Sequence, residues 1–100
     1  MDSSISRTII ECEKVVPFLK IISNTTRLKI LCILKEGERK VGEIQELLGA
    51  KQSYISQQLK YLKSRGYLQS RREGTQIYYS LVNKKFHDIL KYMITVIESK

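Results

Sequence analysis

Residues 41–81 read VGEIQELLGAKQSYISQQLKYLKSRGYLQSRREGTQIYYSL, and the order of patterns inside this stretch decides the fold. Val41, Ile44, Leu47 and Leu48 recur on one face of a short helix, and Gly49 with Ala50 permits a sharp turn. Ile55, Leu59 and Leu62 then repeat at i, i+4 and i+7 on a second helix, so the two helices share one small core. Gly66 suits the left-handed stop past a helix end. Beyond it, Tyr67 to Arg72 and Gln76 to Leu81 flank Glu73-Gly74-Thr75. Ile77, Tyr79 and Leu81 fall on one face of the second run and Gln76, Tyr78 and Ser80 on the other, which predicts a hairpin with Arg71 and Arg72 at its tip. Two helices, a Gly turn and a hairpin in this order predict a winged helix-turn-helix.

The second helix leaves outside its core Gln52, Ser53, Tyr54, Ser56, Gln57, Gln58, Lys60, Tyr61, Lys63 and Ser64, a surface of amides, hydroxyls and cations. Such groups suit base edges and phosphates. Between Leu47 and Arg72 there is no Asp or Glu, while Lys51, Lys60, Lys63, Arg65, Arg71 and Arg72 all lie there. A merely solvated face mixes its signs, so this one points to a polyanion. The candidate nucleic-acid contacts are Lys51, Gln52, Ser53, Tyr54, Ser56, Gln57, Lys60, Tyr61, Lys63, Arg71, Arg72, Thr75 and Gln76. Glutamine is suited to bidentate pairing with adenine, which assigns base readout to Gln52, Ser53 and Gln57, with Ser56 and Tyr54 beside them. Lys60, Lys63, Arg71 and Arg72 are assigned to phosphates. Lys51 stands at the helix start, where a cation opposes the helix dipole unless an anion docks nearby.

One hundred residues with 42% apolar content make a single domain spanning residues 1–100. The formal charge of +8 calls for an acidic partner, nucleic acid or a membrane surface. No uninterrupted apolar run approaches the roughly 18 residues of a spanning helix, and the cations do not sit on a lipid-seeking helix, so no membrane partner is expected. Met1-Asp2-Ser3-Ser4 carries no basic region followed by a hydrophobic block, which implies a cytoplasmic protein. In that reducing compartment Cys12 and Cys32 are free thiols.

Upstream, Ile5, Ile9, Cys12, Val15, Val16, Leu19 and Ile22 recur at helical spacing over residues 4–23, with a bend expected at Pro17. Asn24 or Thr25 caps a next helix, apolar nearly all round and therefore the most buried, which stops at Gly37. Glu36 to Lys40 is a charged connector into the helix-turn-helix at 41–65, and the wing occupies 67–82. Asn83 caps a last helix over residues 83–99 whose Phe86, Ile89, Leu90, Met93, Ile94 and Ile97 form a long apolar stripe. So much apolar surface on the first and last helices is explained if both pack against a second copy. The expected class is mainly α with a small β-hairpin wing, in the order α-α-α-α-β-β-α.

Four runs make a specific resemblance: Asn24-Thr25-Thr26-Arg27-Leu28-Lys29-Ile30-Leu31; Val41-Gly42-Glu43-Ile44; Gln52 through Leu62; and Arg71-Arg72-Glu73-Gly74-Thr75-Gln76-Ile77-Tyr78-Tyr79-Ser80-Leu81. Together they resemble the ArsR-type family of bacterial transcriptional repressors over nearly the whole chain. The resemblance implies a homodimer built on the first and last helices, a recognition helix in each major groove of a palindromic operator in double-stranded DNA, and release of DNA by an inducer that the sequence does not identify.

The family places sensing at several alternative sites. The Cys-x-Cys cluster of its metalloid sensors is absent, since Val41, Gly42, Glu43 and Ile44 occupy that segment. For the cation site on the last helix the chain offers His87 and Asp88, adjacent and about 100° apart on a helix, so no metal ligand set is assigned. Cys32 matches a cysteine of the branch that senses oxidants or reactive sulfur, whose partner thiol lies where this chain has Ser99. Cys12 is the substitute partner, and two inert cysteines are the alternative. Metal-responsive or non-sensing repression, and a protein-docking winged helix, are the other functions in view. With one His, no Gly-rich phosphate loop and no Cys-x-x-Cys motif, neither an enzyme nor a cofactor is expected.

Overall fold

The computed structural model describes residues 3–99, so the part of the leader expectation that rests on Met1 and Asp2 lies outside the described residues. Helices α1 (Ser3–Glu13), α2 (Val16–Ile22) and α3 (Thr25–Leu34) are followed by strand β1 (Arg39–Lys40). Then come α4 (Val41–Leu48), α5 (Gln52–Ser64), β2 (Leu68–Glu73), β3 (Gln76–Leu81) and α6 (Phe86–Glu98). The expected winged helix-turn-helix is present.

The core is a contact between α3, the helix-turn-helix and the inner face of the sheet. Ile30, Ile44, Ile55, Leu59 and Leu62 are fully buried, with Leu31, Leu34, Leu68, Tyr79, Leu81, Phe86 and Leu90 packed around them. The side chain of Asn24 caps α3 by accepting from the Arg27 amide at 3.0 Å, and Gly49 closes α4 at a φ of +64° that a side chain would resist. Leu59 has no exposed surface, so Leu59→Ala is expected to cost about 2.7–5 kcal/mol in chemical denaturation. A loss under 1 kcal/mol would mean that α5 is held by something other than this core.

Five expectations need correction. The single helix expected over 4–23 is two helices, because the chain turns at Lys14-Val15 and Pro17 opens a new helix instead of kinking an old one. The connector Glu36 to Lys40 contains a strand: β1 pairs antiparallel with β3, Arg39 opposite Tyr79 and Lys40 opposite Tyr78, in the order β1-β3-β2. Two residues have no visible period, which is why the α-α-α-α-β-β-α order omitted them. Leu47 is 63% exposed, since Ile44 and Leu48 already occupy the inward side of α4. Ile77 shares the inner face of β3 with Tyr79 and Leu81 but is 37% exposed, because the hairpin has by then passed the edge of the core. Finally, α6 begins at Phe86. Asn83 instead braces the turn before it, its side chain accepting from the Lys85 amide at 2.9 Å.

The hairpin loop is Gly74-Thr75 alone, with Glu73 already paired to Gln76. Of the two loop residues only Gly74 takes a positive φ, +62°, as a turn with glycine in first place requires. Among the described residues no helix is long and apolar enough to cross a membrane.

The two ends of the chain stand away from this body. Helix α1 has no buried residue, and Ile5, Ile9 and Ile10 lie open along it. On α6 only Phe86 and Leu90 are buried, while Ile94 is 52% and Val96 70% exposed. The radius of gyration is 16.2 Å, against about 13 Å for a compact domain of this length.

Candidate nucleic-acid interface

Burial of Ile55, Leu59 and Leu62 fixes the rotation of α5, and with it everything the helix shows to solvent. Lys51, Gln52, Ser53, Tyr54, Gln57, Lys60 and Lys63 are exposed; Ser56 and Tyr61 are half-buried. Lys51 is the N-cap, with no side-chain cap bond and no acidic residue in the first turn, so the positive end of the helix and a lysine stand together at the start of α5. Further along, Lys63 Nζ donates to Ser70 Oγ at 2.7 Å and ties α5 to the wing. Lys60, Lys63, Ser64, Ser70, Ile77 and Tyr79 line the cleft between helix and hairpin. Thr75 and Gln76 are exposed at the hairpin turn.

Register separates the two arginines of the wing. Leu68 pairs with Leu81, Ser70 with Tyr79 and Arg72 with Ile77, so Arg72 belongs to the inner face, opposite Ile77, which lines the α5 cleft. Arg71, opposite Tyr78, belongs to the outer face. Neither sits at the tip itself, and Arg71 is not free. Its guanidinium donates to Glu38 through Nε (2.9 Å) and Nη2 (2.5 Å) and to Glu73 through Nη1 (2.7 Å), and lies 4.4 Å from the centroid of the Tyr78 ring. The fork holds the Glu38 carboxyl below the usual carboxylate range. Unlike the expected bare cation, Arg71 is neutralised. Among the described residues no carboxylate pairs with Lys51, Lys60, Lys63 or Arg72, so the helix and the inner wing keep their charge.

Tyr61 also differs from an open contact. Arg27 lies 4.6 Å and Arg65 5.5 Å from its ring centroid, a cation–π arrangement beside α2. Arg65 foremost, then Arg27, hold its phenol below the usual range. Arg27 Nε is buried with no hydrogen-bond partner among the described residues, and the ring face partly compensates it. No periodicity signals this pair, because Arg27 and Tyr61 meet only when α3 packs on α5.

Cys32 packs against the core and burial pushes its thiol up, away from the thiolate that reacts. Cys12 is exposed on α1. His87 and Asp88 are exposed in the first turn of α6.

A model of the family described as bacterial regulatory protein, arsR family, matches residues 24–70, which run from the α3 cap into β2. The chain is 36% identical over 83 residues to a biofilm growth-associated repressor of Xylella fastidiosa, covering 83% of this chain and 73% of that protein. Among solved structures, the transcriptional regulator HlyU from Vibrio vulnificus superposes with a TM-score of 0.82 at 31% identity, covering 93% of this chain and 97% of that one. A homodimeric winged helix-turn-helix DNA-binding domain from Mycobacterium bovis superposes with a TM-score of 0.74 at 32% identity, covering 92% and 85%.

Proposed function

The chain belongs to the ArsR family of bacterial transcriptional regulators, which are not enzymes, and from that premise we propose that it is a homodimeric, cytoplasmic, sequence-specific repressor. Two copies join through α1 and α6 and set one α5 into each of two successive major grooves of a palindromic operator. The observation that carries this reading is the exposed face of α5. It is free of carboxylates, holds lysines without acidic partners, and is set by a fully buried opposite face.

Gln52, Ser53 and Gln57, in the N-terminal half of the helix, read base edges, with Tyr54 and Ser56 beside them. Lys51, Lys60, Lys63 and Arg72 hold phosphates and set register. An inducer that favours a dimer of different spacing by about 1–3 kcal/mol is enough to release the grip.

Selection from a random duplex pool tests this directly. Recovered sequences are expected to share a dyad with half-sites about one helical turn apart; a pool without dyad symmetry overturns the two-helix geometry. Lys51→Ser isolates one residue. It is expected to stabilise the free protein by about 1 kcal/mol, because serine caps the helix and lysine does not, while weakening binding to the recovered duplex. Unchanged affinity in fluorescence anisotropy would remove Lys51 from the contact set.

A further inference from the structure

Resting on the DNA-binding reading above, we propose that Arg71 is a positioning residue. With Glu38 it latches the wing to the loop before β1, and Arg72 makes the phosphate contact on the wing.

Every guanidinium nitrogen of Arg71 already has a carboxylate: Nε and Nη2 take Glu38 side-on, and Nη1 takes Glu73. A phosphate arriving at Arg71 must displace a bidentate partner and then meet a second carboxylate, whereas at Arg72 it meets neither. The faces agree with the charges. Arg72 is on the face of the hairpin that lines the α5 cleft, and Arg71 is on the opposite face, over Tyr78.

The latch also has mechanical work to do. An isolated hairpin is marginal in water, and the third strand that supports this one contributes only Arg39 and Lys40. Glu38 is the residue just before that strand, and Lys40 Nζ lies 5.8 Å from the centroid of the Tyr78 ring, which Arg71 also contacts. One side-on ion pair therefore joins residues 33 apart in the chain, across β1, β3 and β2, and sets the angle at which the inner face of the wing, with Arg72, meets a duplex.

Arg71→Lys, Glu38→Gln, their double variant and Arg72→Ala separate the roles, using a fluorescein-labelled mixed-sequence duplex titrated across a salt series. Arg71→Lys keeps the charge and loses the fork. Arg71→Lys and Glu38→Gln are each expected to weaken binding about three- to tenfold with the slope of log affinity against log salt unchanged, and the double variant no further than the worse single one. Arg72→Ala is expected to flatten that slope by about 0.9 per subunit. In the free protein, amide hydrogen exchange across β2 and β3 should quicken in Arg71→Lys and Glu38→Gln, with thermal unfolding little moved.

Tighter binding and a steeper slope for Glu38→Gln would make Arg71 a phosphate contact masked by Glu38 and overturn the proposal. Unchanged affinity for Arg71→Lys would overturn it too. If the wild-type protein bound no duplex, the DNA-binding reading would fail instead, while faster exchange in the variants would still mark the latch and unchanged exchange would abolish it.

Discussion

Placing a carboxylate in the middle of the α6 stripe, as Ile94→Glu, is expected to leave a folded chain that no longer dimerises and that binds duplex DNA at least about a hundredfold more weakly. Ile94 is 52% exposed in the single chain, so its replacement removes little from the core that holds the helix-turn-helix. In a dimer built on α1 and α6 the same carboxylate would be buried without a partner, a cost of several kcal/mol set against association. The loss of affinity follows from linkage. Two recognition helices on one body bind as one ligand, and a second half-site engaged intramolecularly multiplies affinity by about 10²–10⁴. Sedimentation and anisotropy read the two consequences separately. A variant that remains dimeric would show that the exposed faces of α1 and α6 serve another purpose, and a monomer with undiminished affinity would show that one helix suffices.

The affinity for DNA is also expected to fall by about 10³–10⁵ between 50 and 200 mM salt, the response of six to ten neutralised phosphates. Lys51, Lys60, Lys63 and Arg72 on each of two subunits supply that number, and none has an acidic partner among the described residues. Arg71 would have raised the total, but its carboxylates already hold it. A slope of only one or two phosphates, measured on a duplex recovered by selection, would mean that the cations of α5 do not face the backbone and would leave base contacts to carry the affinity.

Much of this arrangement was legible along the chain, and particular residues show where legibility ended. The repeat of Ile55, Leu59 and Leu62 located α5, oriented it and separated its polar face, because a helix periodicity is a local property of the backbone. Gly49 and Gly74 marked turns for an equally local reason, the positive φ each supplies. By contrast Leu47 and Ile77 obey the apolar period and are nevertheless exposed, since a period names a face but does not say how far the neighbouring element extends over it.

The helix-turn-helix, the hairpin, the buried stripe of α5 and the carboxylate-free face were all readable along the chain, since they rest on short-range spacing and on which charges are absent from one continuous stretch. That Glu38 meets Arg71 and Arg27 meets Tyr61 became visible only once the chain was folded. Those pairings join segments more than thirty residues apart, and the register of the two-residue strand β1 against β3, which brings Glu38 beside the wing, leaves no mark on the sequence. Charge is read residue by residue along a chain, but its cancellation is a matter of distance in space.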